Sequence, residues 1–206
     1  MHRQLLILFA LLSIHLAAQP ARAQTPERSI ELGASVTGTV LREIGTTDHG
    51  TGTSASGIGG RLTYNFTKYI ALDSEISVLP GNSATSGNMV QAQLGIKAGP
   101  RTGKFGVFAK ARPGFMYFRN DPFGRLAPGG NLLRRGRTSS IEPMVDVGGV
   151  VEIYPSSSWI VRFDAGDTII KFRKRLVRPT FGGPQIEAGG FTTHNFQGSI
   201  GVGFRF

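Results

Sequence analysis

The stretch THNFQGSIGVGFRF, residues 193–206, decides the fold. From Phe196 onward one parity is apolar or glycine (Phe196, Gly198, Ile200, Val202, Phe204, Phe206) and the other is polar or glycine (Gln197, Ser199, Gly201, Gly203, Arg205). Alternation of period two is the signature of a strand with one oily and one wet face. An aromatic strand left at the edge of a sheet would template aggregation in a soluble protein. The hazard disappears if the strand pairs to close a barrel and its oily face meets lipid.

The spacing polar, x, Gly, x, x, aromatic, x, aromatic, filled here by Ser199, Gly201, Phe204 and Phe206, resembles the C-terminal assembly signal of bacterial outer-membrane β-barrel proteins. The other end of the chain is consistent with export. His2 and Arg3 precede an uncharged, mostly apolar run over residues 5–18, and Ala21-Arg22-Ala23 offers a small-x-small cleavage site before Gln24. Residues 1–23 therefore read as a secretory signal peptide, and the run is shorter than the roughly 20 apolar residues of a membrane-spanning helix. Residues 24–206 are expected to form one β-barrel domain. There is no cysteine, so stability must come from burial and backbone pairing rather than disulfides.

Alternation continues through the chain. It predicts eight strands, near 29–41, 56–66, 69–79, 88–98, 104–118, 140–154, 158–170 and 193–206. Short corners at 67–68, 99–103 and 155–157 alternate with long connections at 43–55, 80–87, 119–139 and 171–192. An all-β, eight-stranded antiparallel up-and-down transmembrane barrel has this plan, with short turns on the periplasmic side and long loops outside. Aromatics gather toward the short-turn end (Tyr64, Phe66, Tyr69, Tyr154, Trp159, Phe204, Phe206), as expected of a membrane interface. Pro113 and Pro143 interrupt two strands, and bulging or fraying is expected at both.

With the oily parity outward, the lumen receives Glu31, Asp73, Glu75, Glu142, Asp146, Glu152 and Asp164 together with Arg61, Lys97, Lys110, Arg112, Arg162 and Arg205. Every charge in the middle of a strand is assigned to this inner parity. Eight strands enclose just enough room for side chains, so these charges are expected to pair into a polar plug rather than line an ion path. A soluble barrel that holds a ligand would need the reverse arrangement, oily inside and charged outside.

The basicity of the protein lies elsewhere. Connection 119–139 carries Arg119, Arg125, Arg134, Arg135 and Arg137 against Asp121, and connection 171–192 carries Lys171, Arg173, Lys174, Arg175 and Arg178 against Glu187. Their combined net charge of +8 equals that of all of residues 24–206. An exported barrel is not expected to meet nucleic acid, so the anionic partners suggested are the phosphates and carboxylates of lipopolysaccharide or other surface glycans, which Arg binds as a bidentate donor. Catalysis has little support. His194 and Ser199 fall on opposite parities of one strand, and Asp48-His49 has no second histidine nearby to complete a metal site. No cofactor is implied.

The chain resembles the small outer-membrane β-barrel family that includes the OmpA membrane domain and OmpX. The resemblance rests on architecture and the C-terminal signal, and implies a monomer placed in the outer membrane by the barrel assembly machinery. It also implies a non-enzymatic structural or surface-interaction role, with a small pore or transporter for ionic or hydrophobic solutes as the alternative.

Overall fold

A computed structural model describes residues 29–42, 52–81, 87–120, 139–177 and 184–206. The expected signal segment and parts of the long connections, with Arg125, Arg134, Arg135, Arg137 and Arg178, lie outside the described residues. Ten strands follow one another: β1 (Ile30–Arg42), β2 (Gly52–Asn65), β3 (Ile70–Leu79), β4 (Met89–Ala98), β5 (Phe105–Phe118), β6 (Ser140–Ile153), β7 (Trp159–Phe172), β8 (Arg175–Val177), β9 (Ile186–Ala188) and β10 (Phe191–Arg205). Eight of them close an antiparallel barrel in the order β1-β10-β7-β6-β5-β4-β3-β2. Closure is made by ten consecutive pairs from Glu31↔Arg205 to Val40↔Phe196.

The barrel is inside out relative to a soluble protein. Ile58, Leu94 and Ile200 face outward with 69%, 52% and 51% of their surface exposed, whereas Asp73, Lys97, Arg112 and Arg162 are fully buried within. Oily residues on an outer wall are stable only against hydrocarbon, and a closed ladder leaves no barrel strand with an unpaired edge there. Three short turns use one device. The hydroxyl of Thr67 accepts the backbone N–H groups of Tyr69 and Ile70 at 3.1 and 3.0 Å. Thr102 accepts that of Phe105 at 3.2 Å, and Ser156 those of Ser158 and Trp159 at 3.3 and 3.2 Å. A Ser or Thr hydroxyl thus caps each corner where the chain reverses.

Three expectations about the strands need correction. The connection read as 171–192 is not plain loop: β7 runs on to Phe172, and β8 and β9 pair as a small separate hairpin from Arg175↔Ala188 to Val177↔Ile186. The second strand begins at Gly52, earlier than its apolar alternation suggested, because Gly52, Thr53 and Ser54 find partners on β1 without needing an oily face. At the prolines the expected bulge is missing, and the expected fraying is confined to one side of each strand. The β5–β6 ladder passes regularly through Pro113↔Val145 and Phe115↔Pro143.

A strand residue directs its N–H toward one neighbour only, so a proline costs a bond on one side. The cost of Pro113 falls on β4, where pairing breaks between Gln93↔Gly114 and Ile96↔Ala111 and resumes in the same register. That of Pro143 falls on β7, where the ladder starts only at Met144↔Ile170.

At the β4–β5 break two inward glycines allow the backbones to crowd together. A Cβ on Gly95 would lie 2.0 Å from the Ala111 carbonyl oxygen, and one on Gly114 would lie 2.1 Å from that of Ala92. Outward-facing Gly38 has nothing within 4 Å of such an atom. Gly95→Val should therefore lower the urea midpoint of the barrel refolded in lipid vesicles or prevent refolding, while Gly38→Ala should leave it unchanged. Equal behaviour of the two variants would contradict this packing.

Candidate functional site: the lumen and its outer rim

The inward parity of the barrel strands builds three tiers. At the short-turn end Glu31 on β1 accepts from Asn65 Nδ2 at 2.9 Å and Arg205 Nε at 3.1 Å, and lies 3.4 Å from Lys97 Nζ. Lys97 also bonds Glu152. Arg101, from the β4–β5 turn, folds back beneath the barrel. Its Nη2 reaches Asn65, Glu31 and Glu152 at 3.0, 3.2 and 3.4 Å, and its Nε donates to the Tyr154 hydroxyl at 2.8 Å. Tyr154 in turn donates to Glu152 at 2.7 Å. Burial, and then the Glu152 carboxylate beside it, push the Tyr154 phenol above its ordinary range, which keeps it a donor.

The middle tier is a continuous ion network. Arg162 grips Asp73 with both terminal nitrogens, at 2.8 and 2.7 Å, and donates from Nε to Asp164 at 2.7 Å. Arg112 bonds Asp146 from Nε and Nη2 at 2.9 and 2.6 Å, while its Nη1 lies 3.0 Å from both Asp73 and Glu75. Lys110 sits 2.8 Å from Asp146 and 3.2 Å from Asp164. Arg61 approaches Asp164 more loosely at 4.0 Å. Two-pronged guanidinium–carboxylate contacts are the geometry in which buried charge is best compensated.

Above it the lumen turns greasy. Leu41, Ala55, Leu79, Met89, Met116, Phe118, Met144, Ile170 and Phe172 form one buried cluster, with Phe191 and Ala188 packed against it. The Phe172 ring stacks on Phe191 at 4.7 Å between centroids and lies 5.8 Å from Phe118. The interior is therefore not the uniformly polar plug that alternation suggested. Near the outer end of the strands both parities become apolar, as in Phe115-Met116-Tyr117-Phe118, and the pattern no longer tells inside from outside.

The placement of the expected site residues differs from the sequence reading in several respects. The lumen carries Arg101 in addition to the six expected bases, which brings bases level with the seven acids. A turn residue has no strand parity to reveal it. Tyr154 is not part of the interfacial aromatic group: it is 8% exposed and points into the lumen, whereas Tyr64, Phe66, Tyr69, Trp159, Phe204 and Phe206 face outward. Of the assembly-signal residues, Ser199 and Gly201 lie on the inward parity and Phe204 and Phe206 on the outward one.

Among the outer bases, Arg175 bonds buried Glu142, and Lys174 pairs with Glu187 at 2.9 Å. Arg119, Lys171 and Arg173 are exposed. Mid-strand charges do not all face inward. Asp167 lies on the outer wall of β7, where its Oδ2 is 2.6 Å from His194 Nδ1 on β10.

This architecture defines a closed transmembrane barrel with a filled lumen. The chain belongs to the outer membrane protein β-barrel domain family, whose model matches residues 7–206. The crystal structure of outer membrane protein OprG from Pseudomonas aeruginosa is similar with a TM-score of 0.51 at 13% identity, over 87% of this chain and 96% of that one. The attachment invasion locus protein Ail of Yersinia pestis, in complex with the heparin analogue sucrose octasulfate, is similar with a TM-score of 0.51 at 9% identity, over 87% and 99%. No curated protein matches the sequence.

Removing one member of the middle tier strands its partners. Arg112→Ala deprives Asp73, Glu75 and Asp146 of their shared guanidinium and should cost about 3–5 kcal/mol in urea unfolding from lipid vesicles. Arg119→Ala, on the exposed rim, should change stability by less than about 0.5 kcal/mol. An Arg112→Ala barrel as stable as its parent would contradict a paired lumen.

Proposed function

We propose that this outer-membrane protein is a non-enzymatic, non-conducting anchor that holds a basic surface against anionic glycans, chiefly the phosphates and carboxylates of lipopolysaccharide. In this reading residues 1–23 are the signal peptide removed on export, the barrel assembly machinery takes residues 199–206 as its signal, and the protein works as a monomer. The observation that carries the reading is the filled lumen, with ion pairs in two tiers below and an apolar seal of Leu41, Met116, Phe118 and Phe172 above. An ion would have to pass a layer lined mainly by apolar side chains, where the buried carboxylate of Glu142 is already bonded to Arg175. With the interior closed, the unspent chemistry of the chain is the basic excess of the 119–139 and 171–192 connections, both at the outer end.

Two measurements test it. In planar bilayers the purified protein should give no stable conductance steps, and a reproducible unitary conductance would instead favour a small pore. Replacing Arg134, Arg135, Arg173 and Lys174 together by Gln should weaken binding to lipopolysaccharide-containing vesicles about tenfold, since exposed charge pairs contribute roughly 0.2–1 kcal/mol each. Sucrose octasulfate serves as a lipid-free polyanion that should compete for the same bases. Undiminished binding by the fourfold variant would remove the surface-contact reading.

A further inference from the structure

Among the described residues the outer wall is mainly apolar, interrupted by serines such as Ser56 and Ser74 and, at one place, by an acid and a histidine in contact. Asp167 on β7 and His194 on β10 meet on the exterior, 2.6 Å apart, with 38% and 61% of their side chains exposed. The second carboxylate oxygen of Asp167 accepts the backbone N–H of Asn195 at 2.9 Å, so the carboxylate is fixed from two sides and holds the ring. With Nδ1 committed to Asp167, the other ring nitrogen is left to a ligand. The register sets Lys171 opposite Thr192 and Ile169 opposite His194. Lys171 therefore stands diagonally across from the imidazole on the same face, a spacing of about 7–8 Å along such a ladder. Lys171 is exposed, and among the described residues it has no ion-pair partner.

The height of this cluster says what it meets. Trp159 pairs with Phe204 at the lower aromatic girdle, and Asp167 and His194 follow eight and ten residues further up their strands. A tilted strand gains about 2.5 Å of height per residue, which puts the cluster roughly 20–25 Å above the girdle, where an apolar band about 25 Å tall ends. A carboxylate is tolerated at that level because the cost of ionised groups on a lipid face falls toward the interface. Just below, Gly198, Ala165 and Gly149 are neighbours in three paired strands. These residues lie on the outer parity and leave a smooth shelf on the wall.

We infer that Lys171 and His194, with Asp167 orienting the ring and the Thr192 hydroxyl alongside, form a binding site for the phosphate of a glycolipid headgroup in the outer leaflet, the acyl chain lying along the Gly198–Ala165–Gly149 shelf. A phosphate suits both partners. Its oxygens accept from the ammonium, and toward the imidazole it can either accept a hydrogen bond or donate one. Thr192 is two residues from His194 on the same face and makes no hydrogen bond to the ring, which favours binding over hydroxyl activation. The inference deepens the surface-contact reading and rests on it for the class of partner, yet it concerns the barrel wall rather than the loops.

The test uses full-length barrel in detergent, with bound lipid counted by native mass spectrometry. The probes are bisphosphorylated lipid A, the same lipid stripped of phosphate, and inorganic phosphate. The parent protein should prefer the phosphorylated lipid about tenfold, and Lys171→Gln with His194→Gln should abolish that preference, as loss of a charge-assisted pair predicts. These substitutions are on the exposed wall, and heat-modifiable gel mobility checks that the barrel is closed. A wall variant that keeps the preference overturns the site, as does a parent that ignores the phosphate. Inorganic phosphate that displaces the lipid as effectively as lipid A itself overturns the lipid assignment. The loop variant separates the two readings: loss on the wall alone leaves this site standing and removes the loops, and loss in the loops alone does the reverse.

Discussion

Hydrocarbon offers a backbone amide no hydrogen-bond partner, so the first and last strands of this chain must find each other. The ten pairs between β1 and β10 make that closure, and the other features follow from it. A closed ladder of eight strands fixes a narrow interior. Alternation then sends every second side chain into that interior, and the chain must fill it without leaving a charge alone. Arg112 and Arg162 solve the problem by sharing Asp73, which joins two otherwise separate pairs into one network. Arg101 does the same at the lower mouth by folding a turn residue under the barrel onto Glu31 and Glu152.

The consequence for function is a division of labour along the barrel axis. The lower two tiers of the lumen are held by ion pairs whose geometry leaves little freedom. The upper tier is closed mainly by Leu41, Met116, Phe118 and Phe172, with buried Glu142 opposite Met116 bonded to Arg175. The outer rim carries exposed Lys171 and Arg173, and Asp167 and His194 place an acid and a histidine on a largely apolar wall.

Much of this was legible in the amino-acid order, for a physical reason: wherever one side of a strand meets lipid and the other meets charge, parity alone distinguishes them. That holds from Glu31 to Thr39, from Asp73 to Ser77 and from Gln197 to Arg205. It fails where the two sides have the same chemistry. At Met116, Phe118 and Ile170 oily residues face both ways, so this part of the apolar seal left no mark in the alternation. It also fails outside the strands, which concealed Arg101 and misplaced Tyr154. Asp167 was hidden by an assumption, that no carboxylate would face lipid, which holds at the centre of the band and loosens at its margin. The prolines carried a subtler lesson: a missing N–H damages only the ladder it would have joined, so one neighbour can pair regularly through Pro113 and Pro143 while the other is interrupted.

Because the chain has no cysteine, single spin labels can be placed at will, and their contact with lipid-soluble oxygen or a water-soluble nickel chelate reports which way each position faces. Labels at Ile58, Leu94, Val147 and Ile200 of the barrel in lipid vesicles should be quenched by oxygen and ignored by nickel, whereas a label at Thr63, on the inner parity of β2, should be immobilised and reached by neither. Labels at the first four positions that prove immobile and shielded from oxygen would mean that these side chains form an enclosed core, and the account of a lipid-embedded, charge-filled barrel would not stand.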